Sequence, residues 1–476
     1  MNTTPLYRQL ANHYLDAIRS GTLKAGERFP SIRLMMEKHA VSLSTAVQVC
    51  RELEDHGVLE ARPRSGNYIR QPDTPAKPVL IAPPPPLDTG VYAGIHEQVS
   101  SVLKASQRAV IKVNLASAYC APQLYPLKTL QDNMIKALRQ DPHLLDKAGP
   151  TCGNLALRNI LARRALTSKT HLSAERIVIT NGATEAINLA LRAVTCPGDT
   201  VAVESPTFYG LLQILESLNL RVLEVPASTH SGINLQAFEQ LLQGPERIKA
   251  LIVMPNLHNP LGSIMPDANK ARLVQLCADR DTVLIEDDTY GDLVDTEQPL
   301  STLKHWDRSD NVIYCASLNK TLAPGVRLGW ISAGKWHDRV EMLKYTQSRG
   351  CEALSQRAVS AYMGTPSYER YLRRLRNTLT QQRLQMSAAI MHHFPQGTSV
   401  SHPQGGTLLW VKLPHEYSSM ALFHEALKAG LLISPGDIFS NARRFDHCVR
   451  IGCGAPYSAR IDEALRTLGQ ILKNQI

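Results

Sequence analysis

Lys320 is the residue whose type and neighbours say most about possible chemistry. It ends the run 314–320, which begins as a predicted buried strand. Ser317 lies three residues before it and Arg327 seven residues after it. A lysine amine forms a Schiff base with an aldehyde cofactor, and a hydroxyl beside a guanidinium holds a phosphate. The run therefore predicts a site for a phosphorylated aldehyde.

Four other predicted strands end in loops that carry polar or aromatic side chains. They cover residues 176–180, 200–204, 250–254 and 282–286, and the strand before Lys320 covers 311–315. Ligands in an open parallel sheet bind at the carboxyl ends of the strands, so we expect the five loops to share one pocket. The side chains concerned are Ala183, Thr184, Phe208, Tyr209, Asn259, Asp287, Tyr290, Ser317 and Lys320.

Each loop is weak evidence when it is taken alone. Asp287 is equally well explained as a helix cap, Asn259 before proline as a common turn, and Phe208 as plain core. The ordered set is harder to explain by packing. It places an Asp at a strand end, a Tyr three residues later, and then Ser-x-x-Lys with an Arg seven residues beyond the lysine.

Over residues 110–476 this set resembles the fold-type-I, class I and II aminotransferases. The resemblance implies that Lys320 forms the Schiff base with pyridoxal 5'-phosphate, while Asp287 pairs with the pyridine nitrogen and keeps it protonated. Asn259 and Tyr290 would hold the phenolic oxygen of the ring. Phe208 would stack on the ring face, with Tyr209 as the alternative.

The same resemblance assigns the phosphate and the substrate carboxylate. The phosphate would be held by Ala183, Thr184, Ser317 and Arg327. Arg450, in the segment 448–452, would clamp a substrate α-carboxylate, although a surface strand charge is the simpler explanation of that residue. Two positions depart from the family pattern. Ala148 replaces a tyrosine that reaches the neighbouring subunit's phosphate, and Asn319 replaces a small hydroxyl residue before the lysine.

Composition sets the outer limits of the interpretation. The chain has 476 residues, 43% of them hydrophobic and 20% charged, which predicts two or three globular domains. We find neither an apolar run of membrane-spanning length nor an apolar signal core after Met1, and we expect a cytoplasmic protein. The 9 cysteines include no CxxC pair, which favours free thiols and no metal site.

Three zones separate along the sequence, and together they predict a multidomain α/β protein. Residues 1–70 alternate short helical patterns with one hairpin, and 71–110 form a proline-rich linker. Residues 111–476 repeat strand and helix, as α/β domains do. By its resemblance this last zone has a mostly parallel sheet with helices on both faces and a smaller C-terminal α+β subdomain.

The N-terminal zone is patterned as a winged helix-turn-helix. A first helix places Leu6, Leu10, Tyr14, Ala17 and Ile18 on one face. A second helix begins after Ser31, and a third carries Ala46, Val49, Cys50 and Leu53 inward with Ser44, Gln48 and Arg51 outward. Residues 58–69 predict two strands around a basic turn. Such a module places a helix in the major groove and its hairpin on phosphate or in the minor groove.

This zone resembles the GntR family of DNA-binding regulators through residues 5–7, 18–33, 41–42 and 53–59. Net charge is a weak pointer to the same partner, since residues 1–70 hold ten Lys or Arg against seven Asp or Glu. Leu43 stands where many members carry a base-reading arginine, so a different base preference is expected. The expected DNA contacts are Arg33, Ser42, Ser44, Thr45, Gln48, Arg62, Arg64 and Gly66.

The two halves together resemble the MocR subgroup of transcription regulators. The resemblance implies a homodimer that binds a double-stranded DNA operator and senses pyridoxal 5'-phosphate or an amino compound through its large domain. A working aminotransferase with a secondary DNA-binding module is the alternative, with the Lys320 amine as general base and Arg450 as anchor for an amino acid. A dimeriser that uses the cofactor only structurally is a third, plainer one.

Overall fold

The chain forms two structural units, Met1–Lys77 and Pro78–Ile476. In this computed structural model the described residues are 5–19, 23, 26–55, 58–62, 66–69, 90–146, 148–296 and 298–475. Among them, no helix is both long and apolar enough to cross a bilayer. Part of the expected proline-rich linker, including the prolines at 72–86, lies outside the described residues.

The N-terminal unit has the predicted helix-turn-helix with a hairpin. Its elements are α1 (Leu6–Arg19), α2 (Ile32–His39), α3 (Leu43–Asp55), β1 (Leu59–Arg62) and β2 (Gly66–Ile69). β1 and β2 pair antiparallel, with Leu59 opposite Ile69. Ser31 caps α2, because its hydroxyl accepts a hydrogen bond from the Leu34 backbone N–H at 3.2 Å. The fold therefore provides the reading helix and the wing that the sequence predicted.

The core of this unit follows the predicted pattern except at one end of α1. Ala46, Val49, Cys50 and Leu53 are buried in α3, as the pattern predicted. Leu6 was predicted to face inward, and that prediction is wrong, because its side chain is 56% exposed. It lies in the first turn of α1, one turn before the stripe of Ala11, Tyr14 and Leu15 that packs into the core.

The second unit alternates strands and helices along its whole length. Its elements are β3 (Val91–Tyr92), α4 (His96–Arg108), β4 (Val113–Asn114), α5 (Leu127–Gln140), α6 (Leu155–Ala165), β5 (Ile177–Thr180), α7 (Ala183–Val194), β6 (Thr200–Ser205), α8 (Tyr209–Ser217), β7 (Arg221–Ser228), β8 (Gly232–Ile233), α9 (Leu235–Gln243), β9 (Ile248–Val253), α10 (Asp267–Asp279), β10 (Val283–Asp287), β11 (Val312–Ser317), β12 (Gly329–Ser332), α11 (His337–Gln347), α12 (Ala353–Met363), α13 (Pro366–His393), β13 (Ser399–Val400), β14 (Leu408–Lys412), α14 (Ser419–Lys428), β15 (Leu431–Leu432), β16 (Ser434–Pro435), β17 (Cys448–Gly452) and α15 (Ala459–Lys473).

The main sheet is mostly parallel, as predicted. Its strand order is β3-β7-β6-β9-β10-β11-β12-β5, and β8 pairs with β7. The strands β7, β6, β9, β10 and β11 run parallel, whereas β12 is antiparallel to both of its neighbours. Every residue of β6, β10 and β11 is buried, because helices cover both faces of the sheet. The five predicted strands are present, with bounds that differ by one or two residues.

The C-terminal part forms the smaller α+β subdomain that was expected. β13, β14, β17 and β16 make an antiparallel sheet in that order, and β15 pairs parallel with β4. Residues 91–92 and 96–108, which we expected inside the linker, instead form β3 and α4 of this unit. β3 pairs with β7, and Val99 and Val102 of α4 are buried in the hydrophobic core.

Candidate functional site

The predicted large-domain residues line one cavity of about 420 Å³ at the carboxyl ends of the parallel strands. The loops after β5, β6, β9, β10 and β11 all contribute, as the sheet topology requires. The sequence-predicted residues that line it are Ala183, Thr184, Phe208, Tyr209, Asn259, Asp287, Tyr290, Ser317, Lys320, Arg327 and Arg450. The structure therefore brings together every residue predicted for this pocket; their individual roles stay predictions.

Lys320 lies between two aromatic rings. Its Nζ is 3.6 Å from the ring centroid of Tyr119 and 5.5 Å from that of Tyr290. Burial, with a smaller contribution from the positive charge of Arg450, lowers the pKa of Lys320 from 10.5 to about 7. The neutral, nucleophilic form of the amine is therefore far more populated near neutral pH than it is for an exposed lysine.

Asp287 ends β10 on the floor of the cavity. Its Oδ1 accepts hydrogen bonds from the Thr289 backbone N–H at 3.1 Å and from the Thr289 hydroxyl at 2.5 Å. Burial raises the pKa of Asp287, while those two bonds and the charges of Lys320 and His258 act in the opposite direction. A carboxylate held at this depth is suited to a cationic N–H partner, such as a protonated pyridine.

A candidate cradle for a phosphate lies where β5 meets α7. Gly182 caps α7 with φ 84°, and Ala183 and Thr184 of the first helical turn line the cavity, where the unpaired backbone N–H groups of a helix N-terminus favour an anion. Arg327 adopts φ 54° and donates from Nη2 to the Asn181 carbonyl at 3.1 Å. A Cβ added at Gly182 would lie 2.8 Å from Nδ2 of Asn319. Asn319, which departs from the family pattern, therefore reaches into the cradle.

Arg450 is a buried cation on β17 and is only 2% exposed. Its guanidinium donates to Asn259 Oδ1 at 3.1 Å, to the Ala116 carbonyl at 2.8 Å and to Ser434 Oγ at 3.1 Å. Its Nε has no hydrogen-bond partner within the described part of the chain. This geometry excludes the surface-charge explanation and leaves a guanidinium able to receive an anion in the cavity.

The buried Tyr290 hydroxyl is a second orphaned polar group. It has no hydrogen-bond partner among the described residues, although its side chain is 2% exposed. Buried hydroxyls without a partner are uncommon and indicate a ligand or water. With the cradle, Asp287 and Lys320, this hydroxyl completes a donor and acceptor set that fits pyridoxal 5'-phosphate. Phe208 and Tyr209 both line the cavity with rings 4.7 Å apart, so either can face a flat ring.

Sequence analysis missed several side chains of this pocket. Tyr119 comes from the segment between β4 and α5, which carried no recognisable motif. His258 and Glu204 form a fully buried pair, with Nε2 and Oε2 3.2 Å apart. The available signals were a His just before Asn-Pro and a Glu at the end of a predicted strand. Both are typical of ordinary core and strand positions.

Away from the pocket, three side chains of metal-ligating types lie close together. The donor atoms of Cys152, His337 and Glu341 are all within 4.8 Å of one another. Cys152 lies 185 residues before His337 in the sequence, so the three residues form no local ligand motif. Burial, together with the hydrogen bond to Glu341 and the charge of that carboxylate, raises the pKa of the Cys152 thiol to about 12.

The N-terminal unit exposes most of the predicted DNA contacts on α2 and α3. Ser42, Ser44 and Gln48 are exposed, and Thr45 is half-buried. The Ser42 hydroxyl lies 2.9 Å from the hydroxyls of both Ser44 and Thr45. Arg33 is 90% exposed and pairs with Glu37 at 3.2 Å, a contact of little energetic weight.

The wing is only partly described. Gly66 has φ 101°, and a Cβ added there would lie 3.4 Å from the Arg28 guanidinium. Arg28, which sequence analysis did not select, is therefore a basic side chain beside the wing. Arg64 and the side chain of Arg62 lie outside the described residues. Leu43 is 58% exposed at the start of α3, so it is free to contact a base edge.

Comparison with known proteins agrees with both halves of the chain. The family "Aminotransferase class I and II" matches residues 110–468, and "Bacterial regulatory proteins, gntR family" matches residues 6–69. The uncharacterized HTH-type transcriptional regulators YjiR and YdcR of Escherichia coli (strain K12) are 34% and 35% identical, over 98% and 99% of both chains. LysN, an α-aminoadipate aminotransferase from Thermus thermophilus, is similar in structure, with a TM-score of 0.72 and 26% identity over 79% of this chain and 94% of its own.

These matches confirm the fold and the family that the sequence predicted. The aminotransferase family alone covers well over half of the chain, and the regulator relatives align from end to end. The chain belongs to the MocR-type regulators, in which a GntR-family helix-turn-helix domain is joined to a class I and II aminotransferase domain.

Proposed function

We propose that this protein is a DNA-binding transcription regulator that holds pyridoxal 5'-phosphate on Lys320 and responds to an amino compound. The observation that carries the proposal is a single cavity that brings the Lys320 amine together with a helix N-terminus, Asp287 and Arg450. The same chain carries an exposed reading helix. The structural relative LysN is described in complex with N-(5'-phosphopyridoxyl)-L-leucine, which supports the cofactor assignment.

Each of these residues would contact a different part of the cofactor. Gly182, Ala183 and Thr184 would offer backbone N–H groups to the phosphate, and Ser317 and Arg327 would add a hydroxyl and a guanidinium. Asp287 would hold a proton on the ring nitrogen, and the Tyr290 hydroxyl would donate to the phenolic oxygen. When bound, the cofactor supplies an aldehyde for amines and an electron-withdrawing ring.

A ligand can change DNA binding only if it binds two conformations of the protein with different affinity. Lys320 would hold the cofactor through its aldehyde carbon, and a ligand amine would compete with the Lys320 amine for that same carbon. Arg450 would orient such a ligand by its carboxylate. A change in closure around the occupied site would alter the placement of two DNA readers in a homodimer.

A promoter-binding assay tests this proposal. Holo protein, apo protein and Lys320→Ala are compared on one promoter fragment, with and without candidate amines. Different affinities among the three forms, or an amine effect on the holo form alone, support sensing. Equal binding by all three forms under every condition contradicts it. Light scattering with and without DNA measures the proposed homodimer.

A working aminotransferase is the second candidate function. It is favoured by an amine with pKa about 7, which can accept a Cα proton near neutral pH, and by the Arg450 anchor. Ala148, in place of the usual tyrosine of the family, would leave one cross-subunit phosphate contact unmade under either function. Half-reaction spectra separate the two. Rapid conversion of the aldehyde form to the pyridoxamine form by a common amino acid favours the enzyme, and slow or absent conversion favours the sensor.

A further inference from the structure

The cavity around Lys320 has an apolar end that the cofactor residues do not use. It is formed by three side chains of α4, one of α7 and two of α8. They are Val99, Val102, Leu103, Ile187, Leu211 and Ile214. All six line the same cavity as Lys320 and Arg450, so this apolar end is continuous with the polar site.

Each cationic side chain of the cavity already has a bonding partner or an assigned group of the cofactor or ligand. Lys320 faces the aldehyde, Arg327 bonds at the phosphate cradle, and Arg450 is the anchor for one carboxylate. His258 is paired with Glu204 at 3.2 Å, and its Nδ1 accepts the Leu261 N–H at 3.3 Å. Within the described residues that line the cavity, no further lysine or arginine remains for a second acidic group.

Desolvation then decides which ligand fits. A carboxylate side chain placed among aliphatic groups loses its hydration and gains no cationic partner. The affinity for a ligand with a hydrocarbon side chain there should increase about 4-fold for each methylene that leaves water.

We propose that the amine ligand of this protein is a monocarboxylic amino acid with an extended hydrocarbon side chain. Its carboxylate binds Arg450, its amine reaches the aldehyde carbon, and its side chain occupies the apolar end. The inference rests on the proposed function, since the ligand is defined relative to the cofactor on Lys320. It adds the chemical class of the effector or substrate.

The test is a titration of the holo protein with amino acids, in which binding is monitored through the absorbance band of the cofactor. The probes are L-alanine, L-2-aminobutyrate, L-norvaline, L-norleucine and L-glutamate. We expect affinity to rise by about 4-fold per added methylene through the first four. L-glutamate, which carries a second carboxylate, should bind at least 10-fold more weakly than L-norleucine. A flat series, or glutamate equal to norleucine, overturns the inference and leaves the cofactor assignment intact.

Two exposed leucines provide a matched pair of variants. Leu103 is 43% exposed and lines the apolar end, whereas Leu384 is 57% exposed on α13 and does not line the cavity. Leu103→Glu should weaken L-norleucine binding at least 5-fold more than it weakens L-alanine binding, while Leu384→Glu changes neither affinity. Equal affinity of the two variants for L-norleucine would overturn the placement of the ligand side chain at the apolar end. Holo preparations without a cofactor band overturn the proposed function itself, and this inference with it.

Discussion

Replacing Arg450 with glutamine should raise the pKa of Lys320. In the folded protein burial lowers that pKa first, and the buried positive charge of Arg450 is the next largest cause. Glutamine keeps hydrogen-bond donors for Asn259 and Ser434 but removes the charge. The protonated lysine is then no longer repelled, so the neutral amine requires a higher pH.

The magnitude is of the order expected when one unit charge is removed from a cavity shared with the lysine. At pH 7 a lysine with a pKa of about 7 is half neutral, whereas one at the ordinary 10.5 is neutral in about one molecule in 3,000. Two unit charges about 10 Å apart interact by ~1.7 kcal/mol at an effective dielectric constant of about 20. Loss of that repulsion moves the midpoint upward by about one pH unit.

The assay measures the reactivity of Lys320 in apo protein across pH. A small amine-reactive reagent is used in excess, and mass spectrometry follows modification of the Lys320 peptide. The wild-type rate should level off just above pH 7, and the Arg450→Gln rate about one unit higher. Asp287→Asn should move the midpoint the other way, because the charge of Asp287 raises the pKa of Lys320. A wild-type midpoint near 10, or an unmoved midpoint in both variants, would refute the reasoning.

Three further predictions concern the cradle, the core and the DNA reader. Gly182→Ala should lower cofactor affinity about 10-fold, because the new Cβ would lie 2.8 Å from Asn319 Nδ2. Gly198 is the control, since it has a similar positive φ but no neighbour so close. Gly198→Ala should lower the thermal melting temperature and leave cofactor affinity unchanged. Lys344 on α11 forms a buried ion pair with Glu185 on α7, with Nζ 2.9 Å from Oε2. Lys344→Met should therefore lower the free energy of unfolding by ~3–5 kcal/mol, because it leaves the Glu185 carboxylate without its cation, and equal denaturation midpoints would contradict this. Gln48→Ala should weaken specific operator binding by about 10-fold without changing the cofactor spectrum; an equal loss on unrelated DNA would assign it to phosphate contact.

The pocket was predictable because its main residues follow buried strands. Strands such as β6, β9 and β10 are short and rich in apolar residues, and parallel packing brings the loops after them to one edge of the sheet. Residue types then identified the chemistry at that edge. The same logic located α3 and the wing, whose helix and hairpin periods are local properties of the sequence.

Other features depend on tertiary packing and left no local signal. Tyr119 reaches Lys320 from a segment with no strand or helix pattern of its own. β12 is antiparallel to both β11 and β5, because the chain reverses direction after β11. The five strands predicted from the sequence were expected to be parallel, and β12 was not among them. α4 follows a proline-rich stretch, so composition assigned it to the linker, although Val99 and Val102 pack into the core.

The covalent state of Lys320 is the most direct test of the central claim. Purified protein is incubated with pyridoxal 5'-phosphate, reduced with borohydride, digested and analysed by mass spectrometry. Our account predicts a phosphopyridoxyl group on the Lys320 peptide and none on the corresponding peptide of Lys320→Ala. An unmodified Lys320 peptide, or the same labelling of other lysines in both proteins, would contradict it.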